Sequence, residues 1–119
     1  MRDHTKLRAF EPADQLVLLV YQSTNGFPDT EQSGLTSQLR RAALSIPSNI
    51  VEGCARNSER NYIRFLDIAY GSAKEVEYQI SVAFRLGFLA ETNYRVLSNL
   101  TIETAKVMNG LPRALRNKL

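Results

Sequence analysis

With 119 residues the chain has room for one domain and one core, not two. Hydrophobic residues make up 44% and charged residues 23%, a globular mix that excludes whole-chain disorder. The net charge of +3 and the pI of about 9.2 are too small a bias to name a polyanionic partner without knowing where the cations lie.

The chain opens MRDHTKLRAFEPAD, which is charged and has no apolar stretch and cleavage site of the secretory kind. Residues 1–9 read as a frayed end. A first helix follows from about Pro12 to Thr24, with Pro12 suited to a first helical position and Asn25-Gly26 as its stop. Its centre, LVLLVY, is apolar on all sides and reads as a fully buried helix, because no other stretch offers a partner strand. Six apolar residues are far short of the roughly 20 needed to cross a membrane, so no membrane association is expected.

A second helix places Leu35, Leu39, Ala43, Ile46 and Ile50 on one face. Asp29 followed by Gln32 resembles a capping box before it, with Gly34 interrupting the first turn. Pro47 sits in its interior, where the missing N–H deprives the Ala43 carbonyl of its partner. The apolar face stays in register from Ile46 to Ile50, so a helix kinked at Pro47 is expected rather than a loop. Ser45, Ser48 and Asn49 offer side-chain hydrogen bonds at the bend. With Glu52 they form a polar stripe running from Arg41 to Arg56. Short hydrogen-bonding side chains around a bend fit either a buried or interfacial polar network or a plain solvent face.

The third helix starts from Ser58, a good N-cap, followed by Glu59 at the positive end of the helix dipole. Tyr62, Leu66, Ala69, Ala73, Val76, Ile80 and Ala83 alternate steps of four and three, a seam that Gly87 ends. Ile63, Phe65, Ile68, Tyr70 and Phe84 lie off the seam, which points to a wide core or to an interface between subunits. A fourth helix opens at Glu91-Thr92 and carries Tyr94, Leu97, Thr101, Thr104, Met108, Leu111 and Leu115. Pro112 should end or kink it near Gly110, leaving 111–119 as a basic tail or a last separate turn. The whole of 1–119 is thus an all-α domain, an antiparallel up-down-up-down four-helix bundle with short connections.

Catalysis has little to stand on. His4 is the sole histidine, and Cys54, the sole cysteine, has no histidine to activate it and reads as a small buried hydrophobe. A single cysteine also forbids an internal disulfide, which fits a cytoplasmic location. There is no Glu-x-x-His pair, no zinc spacing and no phosphate loop, so no catalytic, metal or cofactor site and no small-molecule substrate is expected. Concentrated cations are the remaining signal: Arg40 and Arg41, then Arg56, Arg60 and Arg64, and no acid after Glu103. Tyr62 and Phe65 look core-bound, so base stacking is not indicated.

The stretch LTSQLRRAALSIPSNIVEGCARNSERNYIRFLDIAYGSAKEVE, residues 35–77, resembles the signature of the 23S ribosomal RNA intervening-sequence proteins. The matching positions are Gln38 to Ala42 (with Arg40 and Arg41), Ser45, Ile46, Asn49, Ile50, Glu52, Gly53, Arg56 and Ser58, then Phe65, Leu66, Ala69, Gly71, Ser72 and Glu75. Val51 and Asn61 depart from it, Asn61 standing where an acid is common. The resemblance implies a bacterial cytosolic four-helix bundle assembled as a homo-oligomer, a ring of five. In a related group a basic surface serves a reverse transcriptase, whereas the family's own activity is undefined, so an RNA or DNA partner is an expectation from the arginines alone. Two readings stay open: a basic ring that binds nucleic acid or its processing partner, and a scaffold whose arginines hold the subunits together.

Overall fold

Ser58 accepts a hydrogen bond from the Asn61 N–H at 3.1 Å, and from that cap α3 runs Glu59–Arg85. In the computed structural model, which describes residues 2–118, it is one of four long helices: α1 Phe10–Thr24, α2 Leu35–Cys54, α3 and α4 Glu91–Arg116. Short 3₁₀ turns cover His4–Lys6 and Asp29–Glu31, and there are no strands among the described residues. The protein is all-α.

α2 packs on α3, α3 on α4, and α1 closes against both α2 and α4. The contacts between α2 and α3 run in opposite order along the two helices. Ser45 meets Ser72, whereas Gly53, eight residues on, lies against Tyr62 and Phe65. A Cβ at Gly53 would sit 3.0 Å from the Phe65 Cβ, so any larger residue would push the two helices apart by a few tenths of an ångström. The core is filled by Leu16 and Val20 of α1, Leu39, Ile46 and Ile50 of α2, Leu66, Val76 and Ile80 of α3, and Leu97 and Met108 of α4. Thr101 and Thr104 are also fully buried. Their hydroxyls bond back to the carbonyls of Leu97 and Leu100, which removes the penalty of a polar group in the core.

The seam expected along α3 is buried at every position from Tyr62 to Ala83. Its end is built around Gly87, the one residue with positive φ among the described residues, at 81°. Phe88 N–H bonds to the Ala83 carbonyl and Gly87 N–H to that of Phe84, the paired bonds of a Schellman motif.

Four local expectations need correction. α1 is not buried all round: Leu16 and Val20 are, but Leu18 is 58% exposed and Tyr21 faces solvent, because, of the other long helices, only α2 and α4 cover α1. α2 starts at Leu35, not at the Asp29–Gln32 box. Glu31 Oε1 accepts the Leu35 N–H at 3.1 Å, so the capping carboxylate comes from the end of the 3₁₀ turn. Segment 111–119 does not trail away as a tail. α4 continues through Pro112 to Arg116, with the buried proline ring packed into the bundle; Leu119 lies outside the described residues. Residues 2–9 are not frayed. Arg2 N–H bonds to the Cys54 carbonyl, its guanidinium pairs with Glu59 at 2.8 Å, and the same group lies 3.9 Å from the Tyr62 ring centre.

Candidate basic interface

The arginines singled out from the sequence divide into two groups in space. Arg40 leaves α2 and reaches the last turn of α1. Its Nε donates to Thr24 Oγ1 at 2.8 Å, and its Nη2 to Asn25 Oδ1 at 3.1 Å and to the Tyr21 carbonyl at 3.3 Å. Its guanidinium also lies 4.8 Å from the centre of the Tyr21 ring. A cation on terminal helix carbonyls is favoured by the helix dipole, so Arg40 ties α1 to α2 and has few donors left. Arg41 points to solvent.

Arg56, Arg60 and Arg64 gather at the other end of α2, where it meets the start of α3. Phe65 lies between two of them, Arg56 and Arg64. It is half-buried rather than core-bound, and its ring is a platform 4.9 Å from the Arg56 guanidinium and 6.0 Å from that of Arg64. Tyr62, by contrast, is buried as expected. Arg56 is held by Glu52 at 2.5 Å, the acid-first pair one turn apart. Its Nε is covered and has no hydrogen-bond partner among the described residues. Arg60 and Arg64 are exposed, and no carboxylate pairs with either among the described residues. They line an open cleft of about 600 Å³ with Ile63, Asp67, Ile68 and Arg116. Asp67, its only acid, is paired with Arg116, so the cleft keeps a positive excess. Sequence places Arg116 only in a basic tail, because Pro112 is expected to end or kink the helix that in fact delivers it to the cleft.

The α2–α3 register puts Arg40 and Arg41 level with the middle of α3. That is roughly 20 Å along the bundle from Arg60 and Arg64. The five arginines therefore do not form one patch.

The polar stripe divides as well. Ser45 Oγ and Ser72 Oγ share a hydrogen bond of 2.8 Å between α2 and α3. Asn49 Nδ2 donates to the Ser45 carbonyl at 2.7 Å and to its hydroxyl at 2.9 Å. Ser48 is exposed and stands outside this network, beside Pro47 and Val51, and Glu52 serves Arg56.

Cys54 is buried, and burial pushes its thiol above the usual range. Burial also raises the Tyr62 hydroxyl beside it, against the opposing pull of Arg2. Among the described residues no three His, Cys, Asp or Glu side chains are grouped to hold a metal ion, and no helix is long and apolar enough to cross a membrane.

No curated protein matches the sequence. A crystal structure of a protein of unknown function from the S23 ribosomal protein family of Bacteroides thetaiotaomicron is similar in fold. It has a TM-score of 0.76 and 22% identity, over 87% of this chain and 96% of that one. Residues 5–110 match the 23S rRNA-intervening sequence protein family, and with most of its length inside that match the chain belongs to this family.

Proposed function

We propose that the chain is a non-enzymatic, antiparallel up-down-up-down four-helix bundle, bent at Pro47, that assembles into a homo-oligomeric ring of five and offers a basic surface to nucleic acid. The opposed order of the α2–α3 contacts and the short connections support the topology. The observation that carries the binding role is the cleft at the start of α3. There Arg60 and Arg64 project without acidic partners, flanked by Arg56 and Arg116. Repetition around a ring multiplies the number of phosphates neutralised, which is how a modest charge per chain becomes an affinity. Contacts of this kind read backbone charge and shape, so structured RNA and duplex DNA are the ligands to compare. A cytoplasmic site of action agrees with the single unpaired thiol. That thiol is held protonated by burial, the opposite of what a nucleophile needs, which supports a role without catalysis.

One observation favours the scaffold reading instead. Ile68, 41% exposed, lies among the cleft arginines, an apolar group of the sort that subunit contacts cover. The two readings part on Arg60→Ala/Arg64→Ala. Fluorescence anisotropy with labelled RNA and DNA at several salt concentrations, beside light scattering for the oligomer, decides between them. An intact oligomer with weakened, salt-sensitive binding supports the interface. Loss of assembly supports the scaffold.

A further inference from the structure

A second basic surface lies away from the arginine cleft and has a different chemistry. Residues 6–8 of the N-terminal segment and the last turns of α4 face one another across an open groove of about 570 Å³. Its floor is apolar, made by Leu7 with Val107 and Leu111 of α4. Its charged members are Lys6, Arg8 and Lys106, all exposed, and no acid lines it among the described residues. Asp3 is occupied in accepting the N–H and hydroxyl of Thr5, and Glu11 and Glu103, three residues from Arg8 and Lys106, stay outside the lining. On α4 no acid follows Glu103.

Gly110 opens this groove. It lies in the interior of α4, where glycine costs about 1 kcal/mol relative to alanine. No packing within the chain accounts for it, because a Cβ there would meet nothing within 4 Å. At Gly53 the neighbouring helix crowds a side chain; at Gly110 nothing does. What its absence provides is space along the groove.

We propose that this groove binds a single-chain anionic amphiphile, an alkyl carboxylate of medium length. The volume lies in the small-ligand range, and an apolar floor with a few convergent charges is the usual composition of such sites. The contact along α4, from Lys106 to Ala114, is about 12 Å long, too short for a stable protein interface but matched to an alkyl chain. The groove's own cations, Lys6, Arg8 and Lys106, set the place of the head group, and the alkyl chain runs over Val107 and Leu111 toward Ala114.

The test is calorimetric titration of the full chain with decanoate, below its micelle concentration, compared with neutral decanol and with acetate. Saturable binding of one decanoate per chain, at least tenfold tighter than decanol and absent for acetate, is the expected result. Arg8→Glu/Lys106→Glu should weaken it at least tenfold. Gly110→Leu, whose Cβ meets nothing within 4 Å and whose longer side chain takes up groove space, should abolish it, while Gly110→Ala keeps binding and raises the melting temperature. No binding of decanoate overturns the proposal. So does decanol binding as tightly, since the charges would then play no part. A smaller oligomer for Gly110→Leu, by light scattering, overturns it too, because a second copy of the chain would then be the occupant.

Discussion

Arg40 and Arg64 look equivalent in a list of residues, yet they sit in opposite situations. Arg40 ends on three acceptors at the last turn of α1, so its charge is consumed inside the fold. Arg64 leans on one aromatic ring and is otherwise open to solvent beside Arg60. What separates them is what lies opposite: three acceptors at the C-terminal end of α1 in one case, bare surface in the other. A basic cluster in sequence is evidence of a binding face only after the residues that answer internal carbonyls are set aside.

The sharpest way to break this comparison is to exchange the consequences. Arg60→Ala/Arg64→Ala removes two phosphate contacts per chain. At near-physiological salt that corresponds to about a thirtyfold loss of RNA affinity and a shallower salt slope in anisotropy titrations. Stability should change by no more than about 0.5 kcal/mol in urea unfolding, because neither side chain has an acidic partner to lose. Arg40→Ala should do the reverse. Losing a guanidinium with three acceptors, partly screened by solvent, should cost about 1–2 kcal/mol of stability and leave RNA affinity within twofold. If Arg40→Ala weakened binding as strongly as the α3 pair, the division into internal and external arginines would be wrong.

The fold was more legible in the sequence than this division. The seam of α3 reflects periodicity within one helix, and every position of it is buried. Ser58 and Gly87 were legible because a cap and a left-handed residue act through bonds to their immediate neighbours. Arg40 was not, because its acceptors lie fifteen to nineteen residues away on another helix. Phe65 shares a helix with core residues, and only the packed structure shows that it stops half-buried, its Cβ against Gly53. Pro112 misled for a related reason: a proline's local penalty is visible in sequence, and the packing that offsets it is not.

Arg2 extends the comparison to a third arginine, consumed like Arg40 but next to groups that titrate. It lies over Tyr62 and pairs with Glu59, while its backbone N–H holds the Cys54 carbonyl. Burial raises both the Cys54 thiol and the Tyr62 hydroxyl in the folded state. A group raised on folding leaves stability intact below its unfolded value and lowers it as pH climbs from there toward the folded value. Unfolding midpoints should therefore hold steady up to about pH 8 and fall progressively above about pH 9. Tyr62→Phe should flatten the part of the fall above about pH 10, a change read from urea midpoints of the two proteins across that range.

Arg56 stands between the two classes, and the smallest effect is expected there. One of its nitrogens is held by Glu52, another is covered and unpaired, and its plane rests on the ring that Arg64 also uses. Glu52→Gln removes the carboxylate while keeping a side chain of the same shape. An exposed pair one helical turn apart contributes about 0.3–0.5 kcal/mol, so the loss of stability should be no larger than that. Freed from its partner, Arg56 becomes one more cation on the same face. RNA affinity should then rise by about fivefold, with the salt slope steeper by about one phosphate. A fall in affinity would mean that Glu52 serves the interface by holding Arg56 flat on Phe65, so that orientation, not net charge, limits what this surface can bind.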